Sequence, residues 1–503
     1  MLRRTTLVSL LLVASLAAAT PASAAVTPTK RQCQSLRADR TVATKVATAA
    51  RKGAPRVFAM QVKLDANQVR TMDSFALKVE CLLRERVLPH RAKSRPDVVL
   101  FDENAGLLSG ASGARGARAR RIAANPGSDA KCRGQAFPCR TLNLLGELGT
   151  AYARERRFYG SRLKGLDKPS TPFALATDTI ARTFMRAFSD AARRHDLYIV
   201  AGNMQAPFRQ TTAKAAVRAL RAPGTNPRSV YQVTSGKVYN EVFTWGPRNV
   251  RRGGPDVMRN VVARNRKVPL TGIEQAIGLA PGPNSGAAAR RNLRPYRVPG
   301  TRAKLGFATS LPAFRYGSPP AGTDPCSNVT EYYMRCLNRL GANVVVQADA
   351  NPGDWTGPDG DGIQKWQPLS WMTSTWRAVA DPSVRFAYNA TPMLTGNVGD
   401  LTFDGQTAIT QRGLARGPGC HYIGDRTWIA GEDRPDLTDE AGPKRQFLAI
   451  APWVVGDRSR AALRAVQKRL APLSGDKLEN DYVETAVAAD MPFPVTTRRR
   501  GCR

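Results

Sequence analysis

The feature that most constrains the fold of this chain is a series of short, uninterrupted apolar runs, each closed by polar residues. RVFAMQVKL (56–64), PDVVLFDEN (96–104), DLYIVAGNM (196–204), GANVVVQADAN (341–351) and FLAIAPWVV (447–455) are of this kind. A strand that is apolar on both faces has to be covered on both. Between these runs lie stretches with helical spacing: SFALKVECLLRERVL (74–88), TLNLLGELGTAYARERRFY (141–159), FALATDTIARTFMRAFSDAARRHD (173–196), VTEYYMRCLNRLG (329–341) and PLSWMTSTWRAVAD (368–381). KLGFATS (304–310), VYNEVFTWGP (238–247), VRFAYNATPM (384–393) and TFDGQTAIT (402–410) add further strands. Strands alternating with helices predict a layered α/β fold built as one large domain.

The N-terminus carries a different signal. MLRR is basic, LVSLLLVASLAAA is apolar but too short to span a bilayer, and Ala22-x-Ala24 supplies a small-residue cleavage site. This pattern predicts a secretory signal peptide over 1–24 and a mature protein that is secreted, extracellular or held at the cell envelope. No later run reaches the roughly 20 apolar residues of a membrane helix. Eight cysteines in an exported chain predict disulfides. Cys132 with Cys139 and Cys326 with Cys336 are the natural local pairs, although eight cysteines allow about 105 pairings. Three histidines and no CxxC argue against a zinc site.

The chain has 76 basic and 39 acidic residues, a net charge of +37. Such a surface attracts polyanions. Export argues against a specific nucleic acid, which leaves an anionic envelope polymer or lipid head groups as the partners that the charge suggests. Residues 25–54 read as a polar N-terminal segment, 55–456 as the main domain and 457–503 as a basic C-terminal extension ending in TTRRRGCR. The Gly/Arg-rich SGASGARGARARR (109–121) reads as a mobile solvated loop.

Strand ends are where layered α/β folds display catalytic groups. Glu103 closes VVLFDE, Lys267 opens KVPLTGIE with Glu274 behind it, and Ser310 closes GFATS. Together they make a coherent set for acyl transfer: a carboxylate to take a proton, an ammonium to stabilise an oxyanion, and a nucleophile to carry the acyl group.

The order of these stretches resembles the carbon–nitrogen hydrolase (nitrilase) superfamily over about residues 56–455. VFAMQVKL is similar to its opening strand, PDVVLFDEN to the strand bearing its glutamate, RKVPLTGIE to its lysine segment and GFATS to its nucleophile strand. The resemblance implies an α-β-β-α sandwich that hydrolyses a non-peptide, amide-type C–N bond of a small molecule through a covalent acyl intermediate. It implies no metal or organic cofactor. It assigns Glu103 as base, Lys267 as oxyanion stabiliser, Ser310 to the nucleophile position and Glu274 as a supporting carboxylate. It places Trp355 at the edge of the substrate pocket and allows a homodimer through sheet-flanking helices.

Two departures stand out. Asp102 occupies the position before Glu103 where the family commonly has proline, and adjacent strand residues point to opposite faces. Ser310 stands where the family has cysteine, and a hydroxyl is far harder to activate than a thiol. Three readings stay open: a working serine nucleophile, an inactive member of the fold acting as a basic cell-envelope or ligand-binding protein, or a thiol supplied by Cys326 or Cys336. NPGDWTGPDGDG (351–362) lacks the ligand spacing of an EF-hand and reads as a turn-rich loop, and the sequons at Asn328 and Asn389 are short enough to arise by chance.

Overall fold

A computed structural model describes residues 27–47, 53–91, 95–135, 138–353, 355, 367–414, 447–454 and 460–496. The signal segment and most of the 351–362 loop lie outside these residues.

The first five long strands, β1 (Arg56–Lys63), β2 (Asp97–Leu100), β3 (Tyr198–Gln205), β4 (Tyr239–Trp245) and β5 (Val261–Arg266), lie side by side in one sheet. β1, β2 and β3 are parallel, and β4 and β5 return antiparallel. β6 (Lys304–Phe307), β7 (Val344–Val346) and β8 (Tyr388–Thr391) begin a second sheet, again parallel. β9 (Met393–Val398) crosses back to pair with the end of β1 and with β10 (Leu401–Phe403). β11 (Ala408–Gln411) and β12 (Phe447–Ile450) finish the second sheet, and β13 (Val483–Asp490) runs antiparallel to β1 in the first.

The strand period of two explains how the layers assemble. Phe58, Met60, Val62, Val99, Ile199 and Phe243 face helices 72–82 and 186–195, where Phe75, Val79 and Phe188 meet them. Their neighbours Val57, Ala59, Val98, Leu100, Val200 and Val242 face Leu305, Phe307, Val344 and Val346 of the second sheet. The far side of that sheet, with Val345 and Phe386, packs on Tyr333, Met334 and Leu337 of the helix Val329–Arg339. The architecture is therefore the expected α-β-β-α sandwich, and the uninterrupted apolar runs are the strands that serve two cores at once.

Several boundaries differ from the sequence reading. Residues 27–47 are not merely irregular: the helix Lys30–Leu36 is tied to the helix Met72–Leu82 by Cys33–Cys81, and the strands Arg40–Thr41 and Lys45–Val46 pair with β13. Within the C-terminal stretch, the described residues 460–496 include β13, every residue of which is buried inside the first sheet. The stretch 109–121 is not a solvated loop throughout, since Ser109–Ala111 is buried and a helix spans Ala117–Ala124. TFDGQTAIT forms parts of two strands separated by a turn. Cys132–Cys139 and Cys326–Cys336 are bonded as expected. Asn389 is buried with its amide bonded to Gln347 and Thr375, so that sequon is structural.

An ion pair explains why the late strand belongs to the core. Lys78, on the helix Met72–Leu82, bonds both carboxylate oxygens of Glu484 on β13 at 2.8 and 2.7 Å, and both side chains are nearly fully buried. Removing one member of such a pair leaves an uncompensated buried charge. Glu484→Gln should therefore lower stability by about 3–5 kcal/mol, read as a reduced denaturation midpoint with an unchanged slope.

Candidate active site

The candidate groups meet at the carboxyl ends of strands from both sheets. Glu103 lies three residues beyond β2, and Lys267 directly follows β5. The Lys267 ammonium donates to Glu103 Oε1 at 2.6 Å and pairs with Glu274 Oε2 at 2.8 Å. Asn240, on β4, donates through Nδ2 to both carboxylates at 2.6 Å. The Ala350 main-chain N–H, just past β7, reaches Glu103 Oε2 at 3.1 Å. One cluster thus joins the two sheets.

Glu274 is placed by local helix chemistry. Thr271 and Glu274 form a capping box at the start of the short helix Gly272–Ala276. The Thr271 N–H and hydroxyl donate to Glu274 Oε2 at 2.8 and 2.9 Å. Glu103 is placed by a close backbone approach. A Cβ on Gly202 of β3 would lie 2.1 Å from the Glu103 carbonyl oxygen, so glycine is required there.

Burial and charge divide the two glutamates. Burial pushes Glu103 up, the Glu274 charge adds to this, and Lys267 only partly offsets them, so its carboxyl sits above the ordinary glutamate range. Burial also pushes Glu274 up, but Lys267, Thr271 and Asn240 outweigh it and hold the carboxyl below that range. Burial alone would lower Lys267, yet the two carboxylates raise it, so it remains an ammonium. The site therefore offers one carboxylate suited to exchanging a proton and another suited to staying ionised.

Ser310 follows β6 and has φ +59° and ψ −120°, a backbone state that side-chain-bearing residues rarely adopt. The strand end is held against relaxation: Ala308 N–H bonds to Val346, and the Tyr333 hydroxyl donates to the Phe307 carbonyl at 2.8 Å. A short helical turn, Leu311–Phe314, begins immediately after the serine. A sharp strand-to-turn elbow of this kind is how some α/β hydrolases present a nucleophile.

Glu103, Lys267, Glu274 and Ser310 all line one cavity of about 120 Å³. Trp355 does not. It is fully buried in a separate cluster with Met372, Trp376 and Met393. Cys326 and Cys336 are bonded to one another and lie in the helix-side core, so neither supplies a thiol here. Among the described residues, no group of three or more His, Cys, Asp or Glu side chains is arranged to hold a metal ion.

No known family profile and no curated protein matches the sequence. Among solved structures, the chain is similar to an amidase from Nesterenkonia sp. AN1 crystallised as a double mutant with acrylamide, at 13% identity over 72% of this chain and 85% of that chain, with a TM-score of 0.32. It is also similar to a cysteine-to-serine mutant of the Nesterenkonia AN1 amidase from the nitrilase superfamily, at 13% identity over 71% of this chain and 84% of that chain, with a TM-score of 0.31.

The sequence reading missed two polar members of the site. Asn240 bridges the glutamates, and Asp349 lies fully buried at the end of β7. Burial and the neighbouring Glu103 charge drive Asp349 well above the carboxylate range, against the opposing influence of Gln347, Lys267 and the Ser310 main chain. Asp102 points elsewhere: it accepts from Asn104 N–H at 2.9 Å, does not line the cavity, and is pushed up to about 7 by burial. The one missed feature with a readable signal was the T-x-x-E capping box at Thr271.

Gly202→Ala should force the Glu103 backbone away from β3. Overpacking of this kind costs about 1–3 kcal/mol, more where backbone is struck. The expected readout is a lowered unfolding midpoint together with a perturbed Glu103 titration in carboxyl-carbon NMR.

Proposed function

We propose that this protein is an exported, serine-armed hydrolase of amide-type carbon–nitrogen bonds, with Ser310, Glu103 and Lys267 as its catalytic groups and Glu274 in support. The observation that carries the reading is the strained elbow at Ser310, opening on the same cavity as a buried Glu–Lys–Glu cluster. Strain at a non-glycine residue persists only where the surroundings impose it, and such positions concentrate at functional sites.

The chemistry follows from the division of charge. Glu103 accepts the Ser310 hydroxyl proton as Oγ attacks the amide carbon. The oxyanion that develops is stabilised by the Lys267 ammonium, which Glu274 keeps charged throughout. Collapse breaks the C–N bond, and Glu103 returns its proton to the departing amine. The product of this half-reaction is an acyl ester on Ser310. Water then attacks the ester, again giving its proton to Glu103, and the serine leaves with that proton. In balance, an amide and water become a carboxylic acid and an amine.

Export is part of the proposal. Three disulfides among the described residues suit an oxidising compartment, and a serine nucleophile is immune to the oxidation that a free thiol would meet there. The basic surface would hold the enzyme near anionic envelope polymers.

Mature protein (residues 25–503) is expected to release ammonia or amine from a panel of amides, and Ser310→Ala to abolish the release. Glu103→Gln should lower the rate by about 10²–10⁴-fold. A wild type that is inert while Ser310→Cys hydrolyses amides would instead identify a binding protein that has lost its nucleophile. Glu103 must be ionised to act, and its carboxyl is raised above the usual value of 4.5. The acid limb of kcat/KM should therefore fall at a pH above 4.5, and a limb at or below that value would remove Glu103 as the base.

A further inference from the structure

The wall of the cavity restricts what can be bound. Its charged members, Glu103, Lys267 and Glu274, are bonded to one another and occupy a single patch. Thr141 also lines it, but its hydroxyl and N–H are both bonded to Asp400. Most of the remaining wall is apolar. Leu144, Leu145 and Leu148 come from one face of the helix Cys139–Ala151, and Phe173, Met204 and Phe403 come from three other elements. In a chain of net charge +37, no arginine among the described residues lines this cavity.

We infer that the site takes amides of an apolar acyl group, about six carbons long or a phenyl ring, in preference to small or polar ones. The inference rests on the hydrolase reading for the placement of the scissile bond at Ser310. The size follows from the volume: an apolar cavity of about 150 Å³ holds benzene, and this one measures about 120 Å³. The polarity follows from desolvation. A charged or hydroxylated acyl chain would lose its water against leucine and phenylalanine and would find, outside the catalytic patch, little beyond the unpartnered Asn104 Oδ1 to bond. The acyl group is assigned here because it remains attached to Ser310 through the second half-reaction, whereas the amine has to leave.

Primary amides from acetamide to decanamide vary only the acyl group and all release ammonia. Each added methylene should raise kcat/KM about threefold or more, from the usual gain per buried methylene. The rise should reach on the order of a hundredfold by hexanamide and then stop as the cavity fills. Leu148→Trp should move the optimum to a shorter chain. N-alkyl acetamides vary the leaving side, and a length preference appearing there and not in the acyl series would overturn the assignment. Calorimetric titration of Ser310→Ala with acetamide and hexanamide separates binding from turnover. Tighter hexanamide binding by a protein whose wild type hydrolyses nothing would keep the apolar site and discard the hydrolase reading. Equal affinity for the two amides would overturn the inference even if hydrolysis occurs.

Discussion

The burial of Lys267 is the constraint on which the rest of the site depends. An ammonium removed from water and left alone is untenable, so its surroundings must supply charge and hydrogen bonds. Glu103 and Glu274 supply the charge, at 2.6 and 2.8 Å. To do so, the ends of β2 and β5 must converge, and the capping box of the helix Gly272–Ala276 must aim Glu274 inward. Asn240 and Ala350 then draw in β4 and the end of β7. The two-sheet sandwich brings these strand ends within reach of each other.

The same cluster creates its own asymmetry. One cation cannot neutralise two carboxylates, so the excess negative charge falls on the glutamate with fewer other donors. Glu274 has the Thr271 N–H and hydroxyl, and it is held ionised. Glu103 has a single main-chain donor besides Asn240 and Lys267, and it is raised. A carboxyl raised above its ordinary range, first by burial and then by the Glu274 charge, therefore emerges from packing alone. That matters at this site, because a serine hydroxyl needs a stronger acceptor than a thiol would. The Ser310 elbow complements it by setting the serine in the cavity wall at the expense of backbone strain.

Much of this was legible in the residues. Glu103 and Ser310 each follow an apolar run that reads as a covered strand, so their display at one end of the sheets was predictable, whereas Lys267 follows the arginine-bearing VVARNR and was placed by the resemblance alone. The alternation of inward and outward positions along RVFAMQVKL and DLYIVAGNM divides into the two cores as a period of two requires. Asn240 was not legible, because it stands near the start of its strand and reaches the site only through the antiparallel return of β4. VETAVAAD was not legible as a central strand, because an alanine-rich segment carries little apolar signal and its partner, β1, lies more than 400 residues earlier. Trp355 was misplaced because an aromatic beside a loop looks the same in sequence whether it fills a core or edges a pocket.

The amino-acid sequence by itself determined the layered α/β architecture, the elements that bear the candidate groups and the chemistry of those groups, since apolar periodicity and side-chain identity are local properties. The tertiary structure alone decided which carboxylate is raised and which is held ionised, how the serine backbone is held and which side chains wall the cavity. Each of these depends on groups far apart in the chain: a shared ammonium, a strand end braced by a neighbouring helix, and a wall assembled from several separate elements. Their distances and burial exist only once the two sheets have packed.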